Sequence, residues 1–136
     1  MRRKSSRTLA NLCATCALEK KGQNIKILDL RGLTDIADYF VIVSGESIIH
    51  LHSIADHIEE KVRERFDEKP WHREGDKISR WVLIDYVDVV VHLFTPETRE
   101  FYGLESYWGD APVKEITDEK VRRRTSKREN KRTLQD

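Results

Sequence analysis

Apolar positions along this chain change period several times, and each change marks an element. Leu9, Leu12, Cys13, Cys16 and Ala17 recur at i, i+3, i+4, i+7 and i+8, the spacing of one helical stripe. That stripe predicts a helix over residues 7–21, stopped by Gly22. Residues 24–30 are apolar on both faces, which predicts a central strand. A turn around Gly32 leads to a second strand at 39–43, ending at Ser44-Gly45. Ser47 caps a long predicted helix to about residue 66, with Leu51, Ile54, Ala55, Ile58 and Val62 facing inward. Residues 70–75 are a loop or a short edge strand.

Residues 80–108 hold the densest pattern. Strands at 81–85 and 88–94 are expected to pair as a tight hairpin. Side chains alternate along a strand, so Val82, Ile84, Val89, Val91 and Leu93 share one face, and Trp81, Leu83, Val90, His92 and Phe94 the other. In this register Asp85 lies opposite Asp88, a like-charge pair that destabilises unless something uses it. Thr95-Pro96-Glu97 starts a last helix whose stripe is Phe101, Leu104 and Trp108. The order α-β-β-α-(β)-β-β-α predicts an α+β domain: one mixed β-sheet packed with helices.

The pattern fades after Pro112, and charge takes over. Of the 136 residues, 1–8 carry four bases and no acid, and 114–136 carry nine bases against five acids. Residues 9–113 are left with twelve bases against nineteen acids, a net of −7 inside a chain whose total is +1. The expected organisation is a basic arm (1–8), a folded domain (9–113) and a basic disordered tail (114–136). An acidic body is poorly suited to gripping phosphates, whose binding rests on Lys and Arg. It suits a basic protein partner, with the tail free to touch RNA. No apolar run approaches the roughly 20 residues a membrane span requires, and the basic start lacks a signal-peptide core, so a cytoplasmic location is expected.

Candidate chemistry is sparse. Cys13 and Cys16 supply half of the usual structural zinc set, and their place on the apolar stripe favours buried thiols over metal or redox work. Asp35, Asp38, Asp85 and Asp88 raise the alternative of a metal-dependent nucleotidyltransferase, which needs convergent carboxylates. Each pair is spaced three residues apart, so the two acids of a pair would point to opposite sides of an extended strand. His50, His52 and His57 form no HExxH motif, and His92 among aliphatics is expected to be structural. Aromatics cluster late: Trp81, Tyr86, Tyr102, Tyr107 and Trp108. Tyr86 at the turn and Tyr102 off the helical stripe are expected to be exposed, giving ring anchors beside an acidic rim.

GQNIKILDLRGLTDIADYFVIVSGES, HLHSIADHIEE, and WVLIDYVDVVVHLF followed by RxFYxLExxW together resemble the ribosomal silencing factor (RsfS, or Iojap) family over about residues 9–110. The resemblance implies a nucleotidyltransferase-related fold without catalysis and without a cofactor. It implies binding to the large ribosomal subunit through ribosomal protein L-fourteen, a steric block of subunit joining, and lowered translation when nutrients are scarce. It is compatible with a homodimer when free. By likeness, docking falls to Trp81, Asp85, Tyr86, Asp88 and Tyr102. His92, Arg99, Leu104, Glu105 and Trp108 are further family-like positions. Two departures stand out. The family usually has Leu-Gly where this chain has Tyr86-Val87, and valine is a poor residue for positive φ. The basic tail is an addition.

Overall fold

The computed structural model describes residues 5–118. Ser5 caps α1 (Ser6–Glu19) by accepting from the Thr8 N–H at 3.1 Å. The expected basic arm therefore gives up residues 6–8 to a helix. β1 (Gln23–Asp29), β2 (Tyr39–Ser44) and α2 (Ile48–Phe66) follow, and Ser47 caps α2 as its position predicts, accepting from His50 N–H at 3.1 Å. Next come the edge strand β3 (His72–Glu74), β4 (Trp81–Asp85), β5 (Val89–Phe94), α3 (Pro96–Tyr102), α4 (Leu104–Tyr107) and β6 (Val113–Ile116).

The strands form one six-stranded sheet in the order β3-β4-β5-β2-β1-β6. β2 and β5 run parallel at its centre, and all other neighbours are antiparallel. It is the mixed α+β sheet the element order predicts. β6 was not expected: the sequence places residues from 114 onward in a tail, yet 113–116 add a strand to β1, with Leu28 opposite Val113 and Ile25 opposite Ile116. Its four residues, Val-Lys-Glu-Ile, are too few and too mixed to carry a strand signal of their own. The ladder offered by β1 supplies the pairing. The remainder of the expected tail, from residue 119, lies outside the described residues.

The two faces of the sheet bury different materials. α1 and α2 cover one face, and there Leu9, Cys13, Cys16, Val41, Val43, Leu51, Ile54, Ile58, Val82, Ile84, Val91 and Leu93 form a closed aliphatic core. Burying a side chain such as Ile54 or Leu51 contributes about 1.5–3 kcal/mol each. The cysteine stripe is buried as the spacing predicts, and neither cysteine is in a disulfide. The other face holds Leu28, Leu30, Phe40, Ile42, Val90 and Phe94, against which Trp81, Leu83, Leu104 and Trp108 pack only partly buried. Its cover is α3 and α4, short helices separated by a break at Gly103, whose φ is +56°. The predicted last helix is thus two pieces. Leu104 and Trp108 reach the sheet, but Phe101, expected in the same stripe, is left 82 % exposed.

Candidate functional site

The β4–β5 turn departs from the expected register by two residues. Asp85 lies opposite Val90, and Tyr86 N–H donates to Val89 O at 2.9 Å, so Val87 and Asp88 make the turn. Asp85 and Asp88 are not cross-strand partners. Because the shift is even, both face assignments survive it: Val82 and Ile84 still share a side with Val89, Val91 and Leu93. Val87 takes φ +72°, and Asp88 N–H donates to Tyr86 O at 2.9 Å, closing a γ-turn of the strained, positive-φ hand. The Asp85 carboxylate braces it, accepting from Val87 N–H at 2.7 Å. Asp88 O in turn accepts from Asp38 N–H and Tyr39 N–H at 2.8 and 3.1 Å, docking the turn on the start of β2.

Magnitudes explain why the chain accepts a β-branched residue there. A strained residue of this kind costs of order 1–3 kcal/mol. The register it permits carries Tyr86 onto the closed core face, where the ring is buried and contributes a comparable or larger hydrophobic gain. Tyr86 is therefore removed from the docking set that the sequence proposed for it: it is 4 % exposed, and burial pushes its phenol well above the usual range.

The open face carries the other ring groups. Trp81, half-buried on β4, donates from Nε1 to Nδ1 of His92 at 3.2 Å. That bond leaves the proton of neutral His92 on Nε2, an atom with no hydrogen-bond partner among the described residues. Burial alone pulls His92 down to about 4, so the imidazole is neutral near pH 7 and structural, as its aliphatic setting predicts. Phe40 meets His92 edge-on at 4.5 Å, and Trp81 lies 4.8 Å from Phe94 and 4.7 Å from Tyr102. The stack ends in solvent at Tyr102, which is 51 % exposed, as expected off the stripe.

Beside it runs a groove of about 620 Å³, lined by Ile78, Arg80, Trp81, Glu97, Phe101 and Tyr102. Ile78 and Phe101 are exposed apolar members that the sequence pattern did not nominate. The break at Gly103 was the signal for Phe101, since it ends the stripe that would have buried that ring. Trp71 is a third exposed apolar group missed at first, and its N–H donates to Asp85 O at 2.7 Å beside the same edge. Asp88 is exposed and Asp85 half-buried at the far end of β4.

α3 and α4 are anchored by one buried cation. Arg99 donates to Asn24 O at 2.7 Å, to Ser44 Oγ at 2.9 Å and bidentately to Glu105 at 3.0 Å. Lys26 reaches the same carboxylate at 3.1 Å. The Arg99 hydrogen bonds hold Glu105 well below the usual carboxylate range, down to about 2. The fork ties both helices to β1 and β2 and so sets where Tyr102 stands.

The nucleotidyltransferase alternative requires convergent acids. Asp38 accepts from Ser6 Oγ at 2.7 Å and Asp85 is spent on the turn. Among the described residues, the three-ligand group close enough for a metal ion is Cys16, Glu19 and His57, and it contains none of the four aspartates. No helix among them is long and apolar enough to cross a membrane.

Known proteins match this arrangement. The family model described as ribosomal silencing factor during starvation matches residues 3–136. A ribosomal silencing factor RsfS from Halalkalibacterium halodurans is 38 % identical over 112 residues, covering 82 % of this chain and 95 % of that protein. Its Bacillus subtilis counterpart is 35 % identical over 112 residues, covering 82 % of this chain and 94 % of the relative. A mouse protein named mitochondrial assembly of ribosomal large subunit protein 1 is 32 % identical over 92 residues, covering 66 % of this chain and 40 % of its own length. A crystal structure from Chromobacterium violaceum superposes with TM-score 0.74 at 28 % identity, covering 78 % of this chain and 88 % of that one. One from Bacillus halodurans gives 0.69 at 32 % identity, covering 82 % and 100 %. With the match spanning both faces of the sheet, from α1 to β6, this chain belongs to the ribosomal silencing factor (RsfS) family, which includes the Iojap proteins.

Proposed function

We propose that this protein binds the large ribosomal subunit through ribosomal protein L-fourteen and blocks its joining to the small subunit, lowering translation when nutrients are scarce. The observation that carries this reading is the half-open sheet face, where the Trp81–Tyr102 ring pair ends beside a groove with Phe101 and Ile78 exposed. Ring anchors that are rigid and partly buried before binding lose little entropy on docking, which is the usual make-up of an interface hot spot. The domain's net charge of −7 over residues 9–113 complements a basic ribosomal protein and speeds encounter. The names of the relatives support the ribosome as target: several are silencing factors, and the mouse protein is named for assembly of the large subunit.

The docking set is Trp81, Tyr102, Phe101 and Ile78, with Asp88 at the acidic end and Asp85 acting through the turn it braces. Binding and steric exclusion suffice, so the reading requires no cofactor and no catalytic step. It places the protein in the cytoplasm, with the ribosomes. Joining of purified subunits, followed by light scattering, is the test. Saturating protein should suppress joining, and Tyr102→Ala should weaken large-subunit binding by about 30-fold or more, the loss of a hot spot worth about 2 kcal/mol. Unimpaired joining at saturation sinks the proposal.

A further inference from the structure

We propose that Cys16, Glu19 and His57 form a zinc-class divalent-cation site that clamps α1 to α2, on the side of the molecule away from the Trp81–Tyr102 face. Cys16 and Glu19 stand one helical turn apart on α1, and His57 projects from the facing side of α2. Their candidate ligand atoms all lie within 4.8 Å of one another, and His57 Nε2 already meets Glu19 Oε1 at 3.1 Å. Zinc bonds of about 2.0–2.3 Å to these atom types require the three to draw together by roughly 1 Å, a change within reach of side-chain rotation.

The donor set is thiolate, imidazole and carboxylate. That mixture selects zinc and its chemical relatives over magnesium or calcium, which take oxygen ligands. A cleft of about 420 Å³ opens on Cys16 and Glu19 and is lined also by Lys61, Glu64 and Arg65. It gives the ion an entry path and room for water as a fourth ligand. One thiolate and one carboxylate match a divalent charge. Lys61 and Arg65 at the rim oppose the ion, although Lys61 is already paired with Glu64 at 3.2 Å, so the site is a moderate one that strengthens as pH rises. Its proton must be displaced: burial and the neighbouring Glu19 hold the free Cys16 thiol up at about 12. The apolar stripe of α1 explains why Cys13 is buried. It does not explain why the second thiol comes to lie within ligand reach of a histidine and a glutamate.

Cobalt titration of the reduced full-length chain tests this. One equivalent should produce a thiolate-to-cobalt charge-transfer band with the intense visible bands of a tetrahedral site, and zinc should displace it. Cys16→Ser should remove the charge-transfer band, Cys13→Ser should retain it, and His57→Gln should weaken binding at least 10-fold, the scale set by even outer ligand-sphere losses. His57 is only partly buried, whereas Cys16 is fully buried, so the His57 variant remains informative if the Cys16 variant fails to fold. Absence of the band at saturating cobalt, its survival in Cys16→Ser, or unchanged affinity in His57→Gln would each overturn the proposal.

Discussion

The two faces of the sheet are built from the same strands and do opposite things. Under α1 and α2 the face is aliphatic and closed, with Val41, Leu51, Ile54, Ile58, Ile84 and Leu93 all at 0 % exposure. Under α3 and α4 it is aromatic and half-open, with Trp81 and Leu83 only partly covered and Tyr102 at its rim. Two helices of 14 and 19 residues cover the first, and two of 7 and 4 residues the second. The lesson is a division of labour: the closed face supplies the stability that lets the other leave apolar rings in contact with water.

Substitutions should separate the faces cleanly. The largest effect is expected from Ile58→Ala on the closed face, a loss of about 2–5 kcal/mol from removed burial and the cavity left behind. It should appear as a lower denaturant midpoint with an unchanged slope; a loss below about 1 kcal/mol would mean that α2 repacks freely.

Acid should act next, and on the aromatic face. His92 is pulled from 6.5 to about 4 by burial, so the folded state disfavours its charged form. Stability from this group is complete above the unfolded value and falls as pH drops from about 6.5 toward 4. Unfolding free energies from urea titrations at pH 7 and pH 5 should therefore differ by about 1–2 kcal/mol in the parent chain, and by less in His92→Gln. Glu105, held down to about 2, works in the same direction but only below its ordinary 4.5, so its share is lost at lower pH. Equal pH dependence in parent and His92→Gln would assign the loss elsewhere.

A smaller effect, and a gain, is expected at the turn. Val87→Gly relieves a φ of +72° and should stabilise by about 1 kcal/mol, the strain released less the extra freedom of glycine in the unfolded chain. Thermal melting reads it; destabilisation would show that the valine side chain has a contact worth more than its strain. Least of all, Phe101→Ala on the open face should leave stability within about 0.5 kcal/mol while weakening large-subunit binding. A large stability loss there would break the comparison, because it would make Phe101 part of the core.

Much of this was legible in residue order. The α1 stripe, the Ser47 cap, the α2 inner face and the separation of 81–94 into two faces all follow from period 3.6 or period two, which local sterics impose on any strand or helix. The residues proposed for docking were legible in part. Trp81 and Tyr102 meet at the open face, whereas Tyr86 goes into the core and Phe101, Ile78 and Trp71 come out. The reason for Tyr86 is that a hairpin shift of two residues leaves every face assignment intact, so alternation cannot choose between the registers. The choice falls to the energy of burying one ring against the strain at Val87. Phe101 was misplaced because a helical stripe was extended through Gly103, where the backbone turns left-handed.

By itself, the order of residues determined α1, α2 and the strands up to residue 94, their inward faces, the acidic character of the domain and the family. These depend on side-chain period and composition, which are local properties. Tertiary structure alone decided that Val113–Ile116 is a strand, that Arg99 is the buried anchor joining Asn24, Ser44 and Glu105, and that Cys16 and His57, 41 positions apart, bring their ligand atoms within 4.8 Å. Each depends on a partner far away in sequence, and no periodicity records the distance between residues that only packing brings together.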